Sequence, residues 1–117
     1  MNAQHDILDE SVINQLIKDV GIDTTKVFLD SLESEFNLRT QKITQARDEQ
    51  SLDKLASEAH SFKGCALTCG AKALSNLLLQ LETLAKYKKS EAFELVNQVI
   101  DLARETNVAF HEYKFQV

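Results

Sequence analysis

His60 stands in the stretch Ala59-His60-Ser61-Phe62-Lys63-Gly64, with an ammonium three residues on and a glycine one helical turn on. An imidazole has a reference pKa of about 6.5, so a large fraction is neutral and nucleophilic at cellular pH. The chemistry this suits is attack by a ring nitrogen and the carrying of a group on it. For one nitrogen to attack, the other must hold the proton and be kept in orientation by a nearby acceptor. Lys63 is within reach of a group attached to His60 and can neutralise its charge. Gly64 in a helix interior costs about 0.5–1 kcal/mol relative to alanine. What repays that cost is room for another molecule to approach His60, or close packing of a neighbouring helix.

The elements that hold these residues read as helices. The chain has 117 residues, no proline and three glycines, Gly21, Gly64 and Gly70, so long helices can run uninterrupted. A first segment, residues 9 to 20, carries Val12, Ile13, Leu16 and Val20 on one side and stops at Gly21, as a short lid on the bundle. Asp23 or Thr24 is placed to cap a second helix, whose stripe Phe28, Leu32, Phe36, Ile43 and Ala46 covers roughly 25 residues. Arg39 falls inside that stripe and needs a carboxylate partner or a path to solvent. Ser51 can cap a third helix, along which Leu52, Leu55, Ala59, Phe62, Ala66 and Cys69 make a narrow buried seam. At about 100° per residue, His60 lies about 130° from the centre of that seam, on the side of Ala56, Lys63, Gly64 and Leu67. Gly70 ends this helix, a fourth runs over residues 71 to 88 with Leu74, Leu77, Leu78, Leu81, Leu84 and Ala85 inward, and a fifth begins near Ser90 with Ala92, Val96, Val99, Ala103 and Phe110 inward. The expected fold is all-α, an antiparallel up-down-up-down four-helix bundle over residues 23 to 114 with a short additional N-terminal helix, in one domain spanning 1 to 117.

Composition narrows the function. A net charge of −5, with basic residues scattered among more numerous acids, argues against nucleic acid as a partner. The first residues carry no basic run, and the longest apolar run, Leu77-Leu78-Leu79, is far short of a membrane span, so a cytoplasmic, soluble protein is expected. Cys65 and Cys69 sit one turn apart, where a disulfide would be strained, and read as reduced thiols. There is no glycine-rich phosphate loop for ATP, and no Glu-x-x-His pair of the kind that builds carboxylate-bridged metal bundles.

The segment from Ala59 to Glu82 resembles the signature of histidine-containing phosphotransfer (HPt) domains of His-to-Asp phosphorelays. That pattern runs His, an apolar residue at plus two, Lys, Gly, then Gly-Ala at plus ten and eleven, Leu at plus fourteen and an acid or amide at plus twenty-two. His60, Phe62, Lys63, Gly64, Gly70, Ala71, Leu74 and Glu82 stand at those offsets. Phe62 replaces the commoner leucine, and Cys65 and Cys69 replace small or aliphatic residues, all of them packing changes.

The resemblance implies that His60 accepts a phosphoryl group from a receiver-domain aspartate and passes it to another. The donor and recipient would be receivers of a hybrid sensor kinase or a response regulator. It also implies that Glu82 hydrogen-bonds the imidazole, that Lys63 stabilises the phosphoryl charge and that Gly64 lets the receiver's loops close in; Ala56 and Leu67, on the same outward face by wheel position, complete the expected docking face. Mg2+ and most catalytic groups would sit on the receiver. No cofactor and no metal would be bound by this chain, which would be a monomeric phosphocarrier without kinase activity of its own. The start at Met1 leads us to expect a free-standing shuttle, although a domain of a hybrid kinase fits the same size. Two other functions fit the residues less well: a module that docks receivers without carrying phosphate, and a metal-binding bundle using Cys65 and Cys69.

Overall fold

The computed structural model describes residues 7–116. They form α1 (Glu10–Val20), α2 (Ile22–Asp48), α3 (Leu52–Thr68), α4 (Lys72–Lys86) and α5 (Glu91–Gln116). No strand occurs among the described residues. The four long helices pack as neighbours in a ring, α2 on α3, α3 on α4, α4 on α5 and α5 on α2, while α1 lies on α2. This is the expected antiparallel bundle with its added N-terminal helix. No helix is long and apolar enough, among the described residues, to cross a membrane.

Local chemistry sets the helix ends. Asp9 caps α1 by accepting from the Ser11 amide at 3.1 Å, and Ser51 caps α3 by accepting from the Lys54 amide at 3.2 Å. Gly21, at φ 88°, closes α1 and opens α2 at once. Its amide donates to the Ile17 carbonyl at 2.8 Å, and its carbonyl accepts from the Thr25 amide at 3.1 Å and the Thr25 hydroxyl at 2.7 Å. This corrects the expected caps: Asp23 and Thr24 lie inside the first turn, because a single positive-φ glycine turns the corner without a spacer.

The seam of α3 is buried as expected. Leu55, Ala59, Phe62 and Ala66 have no exposed surface, and Cys69 is buried at its end. Phe62 meets Phe36 of α2 edge to face at 5.1 Å between ring centroids, and Phe36 meets Phe110 of α5 at 5.6 Å. Each such side chain taken from water contributes about 1.5–3 kcal/mol, so this aromatic stack fixes the rotation of α3. The α2 stripe differs by one position from expectation. Thr25 and Leu29 are buried and Phe28 is 36 % exposed, because α1 packs beside it and Phe28 borders a cleft of about 550 Å³ between the two helices. Val20, expected on the inward side of α1, is also exposed, and Ile13 is the buried residue of that helix. Leu52, Leu77 and Leu84 are half-buried at the margins of the core.

Three of the four corners share one backbone design. After α3, the Ala71 amide donates to the Ala66 carbonyl at 2.9 Å and the Gly70 amide to the Leu67 carbonyl at 3.3 Å, with Gly70 at φ 80°. The same pair of bonds closes α2 around Gln50 and α4 around Lys88, both at positive φ without glycine. Gly70 has a second reason for being glycine. A Cβ there would stand 2.9 Å from the Asp9 carbonyl, and the Gly70 carbonyl accepts from the Asp9 amide at 2.7 Å. The segment entering α1 is thereby tied to the end of α3.

Candidate functional site

The antiparallel pairing of α3 and α4 brings together residues 22 apart in sequence. His60 Nδ1 lies 2.8 Å from Glu82 Oε2, and Lys63 Nζ donates to Glu82 Oε1 at 2.8 Å. One carboxylate therefore bridges both basic side chains. Lys63 and Glu82 are mostly covered, at 21 % and 19 % side-chain exposure, while His60 stands out at 68 %. The Lys63 hydrogen bond, first of all, holds the Glu82 carboxyl below the usual carboxylate range. Partial burial opposes it, and the His60 hydrogen bond and the positive charge of Lys63 lower it further.

An ionised carboxylate can only accept. A neutral His60 must then carry its proton on Nδ1, which leaves the Nε2 lone pair uncommitted and pointing away from Glu82. The pairing supplies what the imidazole needed, an acceptor on a neighbouring element that fixes tautomer and ring orientation. The Lys63 ammonium is directed to Glu82, on the carboxylate oxygen not used by His60.

A Cβ at Gly64 would meet nothing within 4 Å. Close helix packing is thus excluded as its reason within the described residues, and the bulk that glycine removes is removed on the outer surface, one turn from His60. Leu67, another turn on, is 59 % exposed, and Ala56 is half-buried one turn before His60. On α4, Leu79 lies one turn before Glu82 and is 49 % exposed. Sequence patterning assigns it no role: Leu77 and Leu78 of the same run are placed inward and Leu79 is left off the inward face. Its place on the wheel, about 60° outward from Glu82, was the available signal.

Of the other features weighed, Arg39 finds its carboxylate one turn back, donating from Nε to Glu35 Oε1 at 2.8 Å. Both cysteines are free thiols. Burial pushes them up, Cys69 to about 12, so neither is a ready thiolate. No group of three or more His, Cys, Asp and Glu is arranged to hold a metal among the described residues.

Residues 25–109 match the Hpt domain family. That span contains His60, Lys63, Gly64 and Glu82 and leaves out α1. No curated protein matches the sequence. The crystal structure of histidine-containing phosphotransfer protein B from Pseudomonas aeruginosa PAO1 is similar in fold, with a TM-score of 0.86 over 94 % of this chain and 96 % of that one, at 24 % identity. With the family matched across most of its length, including both helices of the His60 site, the chain belongs to the Hpt domain family.

Proposed function

We propose that this protein is a phosphorelay carrier in which His60 takes a phosphoryl group from the aspartyl phosphate of one receiver domain and gives it to the aspartate of another. Hpt proteins are phosphocarriers of phosphorelays and interact with receiver domains. The observation that carries the finer reading is the 2.8 Å contact of His60 Nδ1 with Glu82 on a ring otherwise 68 % exposed. It leaves Nε2 as the nucleophile.

In the forward step Nε2 attacks phosphorus in line with the departing aspartate oxygen. The N–P bond forms as the O–P bond breaks, and the electron pair of that bond leaves with the receiver carboxylate. Positive charge developing on the ring is met at Nδ1–H by Glu82. The Nδ1 proton stays in place, so return of the pair to nitrogen reverses the step. Lys63 keeps Glu82 ionised and aimed, and adds cationic charge beside the phosphoryl group. Gly64 leaves room for the receiver's loops, with Ala56 and Leu67 flanking the approach. Mg2+ would come with the receiver, whose groups supply most of the catalysis. The chain would act as one HPt domain spanning 1–117, as a monomer in the cytoplasm, with no ATP-dependent kinase activity of its own.

The test is a receiver loaded with labelled phosphate. Label should pass to the wild type, giving an acid-labile, base-stable adduct, and should not pass to His60→Gln. Equal labelling of the two proteins would remove His60 from the mechanism.

A further inference from the structure

We infer that Glu33 of α2 and His111 of α5 form a Zn2+ site on the pair of helices opposite that of His60, with Asn107 as a supporting acceptor. The inference goes beyond the phosphocarrier reading and does not depend on it. Two side-chain oxygens, Glu33 Oε1 and Asn107 Oδ1, are buried without a hydrogen-bond partner among the described residues. Buried acceptors are ordinarily paired, so two such atoms in one place need a common explanation. They belong to one constellation. Glu33 and Asn37 are four apart on α2, and Asn107 and His111 four apart on α5, so each pair shares a face of its helix. Across the groove the Asn107 amide nitrogen donates to the Glu33 carbonyl at 3.4 Å and to Asn37 Oδ1 at 3.2 Å. Those bonds use its nitrogen and leave its oxygen over.

The spacing of the other two side chains points to a metal. His111 Nδ1 stands 3.5 Å from Glu33 Oε1, and the two make no hydrogen bond. A zinc ion held at about 2.1 Å by a nitrogen and an oxygen, at the tetrahedral angle, separates them by about 3.4 Å. The gap is too long for a charge-assisted hydrogen bond and right for two ligands of one ion. Imidazole with carboxylate suits Zn2+ better than Mg2+ or Ca2+, which take oxygen ligands. The nearest ammonium is committed elsewhere: Lys114, one turn on from His111, bonds Asp30, one turn back from Glu33, so its charge is matched. Phe115 packs edge to face on His111 at 5.0 Å between ring centroids and holds the imidazole. The His111 side chain is 54 % exposed, so an ion can enter from solvent and keep water in its remaining positions. A water on the ion donates to Asn107 Oδ1, as outer partners of metal sites do. With two protein ligands the site holds its ion exchangeably, as a clamp between α2 and α5.

The experiment titrates Zn2+ alone into the full chain, followed by calorimetry and by NMR of the histidine ring signals. The first equivalent should shift His111 ahead of His60. The ring shifts need no variant, so they decide even where a substitution unfolds the chain. Affinity should fall roughly hundredfold in Glu33→Gln and in His111→Gln, and roughly tenfold in Asn107→Ala, the scale on which metal sites respond to loss of supporting groups. Asn107→Asp, which makes the supporting acceptor a carboxylate, should tighten binding. His60→Gln, and Cys65→Ser combined with Cys69→Ala, should keep the wild-type affinity, with circular dichroism checking that each variant is helical. Because only the folded chain brings α2 and α5 together, Tm should climb with Zn2+ concentration in the wild type and stay level in Glu33→Gln. Zinc affinity that follows His60 or the cysteines, ring shifts at His60 first, or a wild-type titration without saturable binding would each overturn the site and leave solvent to satisfy the two acceptors.

Discussion

The bundle carries two histidine, glutamate and lysine clusters on opposite pairs of helices, and they differ in ways that bear on function. His60-Ser61-Phe62-Lys63 on α3 faces Glu82 of α4, and His111-Glu112-Tyr113-Lys114 on α5 faces Glu33 of α2. In each the histidine is exposed, the aromatic two residues on is buried and a lysine follows one further. At the first cluster the imidazole reaches its acid at 2.8 Å, with the lysine on the same carboxylate. At the second the separation is 3.5 Å, Lys114 is paired with Asp30, and the facing Glu33 oxygen is buried without a hydrogen bond. One turn after the histidine, Gly64 in one cluster is replaced by Phe115 in the other, whose ring packs edge to face on His111 at 5.0 Å. A histidine near an acid and a lysine is therefore not enough. What separates the two is a carboxylate held in place from both sides and a cleared approach.

The largest expected effect breaks the comparison outright: receiver-dependent labelling should vanish in His60→Gln and stay at the wild-type level in His111→Gln. Next, Glu82→Ala should slow transfer on the order of a hundredfold, the scale on which positioned proton-holding groups act, with the helical circular-dichroism signal retained. Glu33→Ala should leave the rate alone, and a matched loss in both would make the distinction between the clusters untenable. Gly64→Ala separates stability from function. With open space at the Cβ, the variant should be more stable by about 0.5–1 kcal/mol, seen as a Tm higher by several degrees, while receiver transfer slows several-fold.

A smaller effect concerns pH. The folded-state pKa of Glu82 lies below its ordinary value of 4.5, chiefly through the Lys63 hydrogen bond. Its contribution to stability is fully present above the unfolded value and is lost as pH falls through the lowered folded value. Removing the cation in Lys63→Met should raise the Glu82 midpoint, followed by carboxyl NMR, so that its bond to His60 is lost at a higher pH than in wild type. An unmoved midpoint would return Lys63 to a role on the phosphoryl group alone. Least of all, Phe115→Ala should expose His111 without making it an acceptor.

Much of this was readable in the sequence, for reasons that differ by element. The α3 seam repeats without interruption, so Leu55, Ala59, Phe62 and Ala66 could be assigned to the core and His60 to the surface before any coordinates. Ser51 and Gly70 are local signals, set by hydrogen bonds within a few residues. On α2, Leu32, Phe36, Ile43 and Ala46 are buried as the stripe predicts, and only Phe28 gives way to Leu29, because the two are equally apolar and the choice between them depends on where α1 lies. Pairing Glu82 with His60 needed the family pattern, since wheel position alone put Glu82 only on the flank of α4. That Lys63 would bridge to the same carboxylate was beyond reach, because it depends on the axial register of two helices. The second cluster has the same His-x-aromatic-Lys order, but no glycine one turn on and no family spacing sets it apart from an ordinary helix surface.

Gly70 sits ten residues from His60, and its contacts are with the backbone that leads into α1. The signature thus overlays two messages: His60, Lys63, Gly64 and Glu82 carry the proposed reactivity, and Gly70, Ala71 and Leu74 carry assembly. A relative could lose the first and keep the second, remaining recognisable to any pattern search while chemically silent. Reading such sequences by the overall match would credit them with a reaction that only the first set of residues encodes.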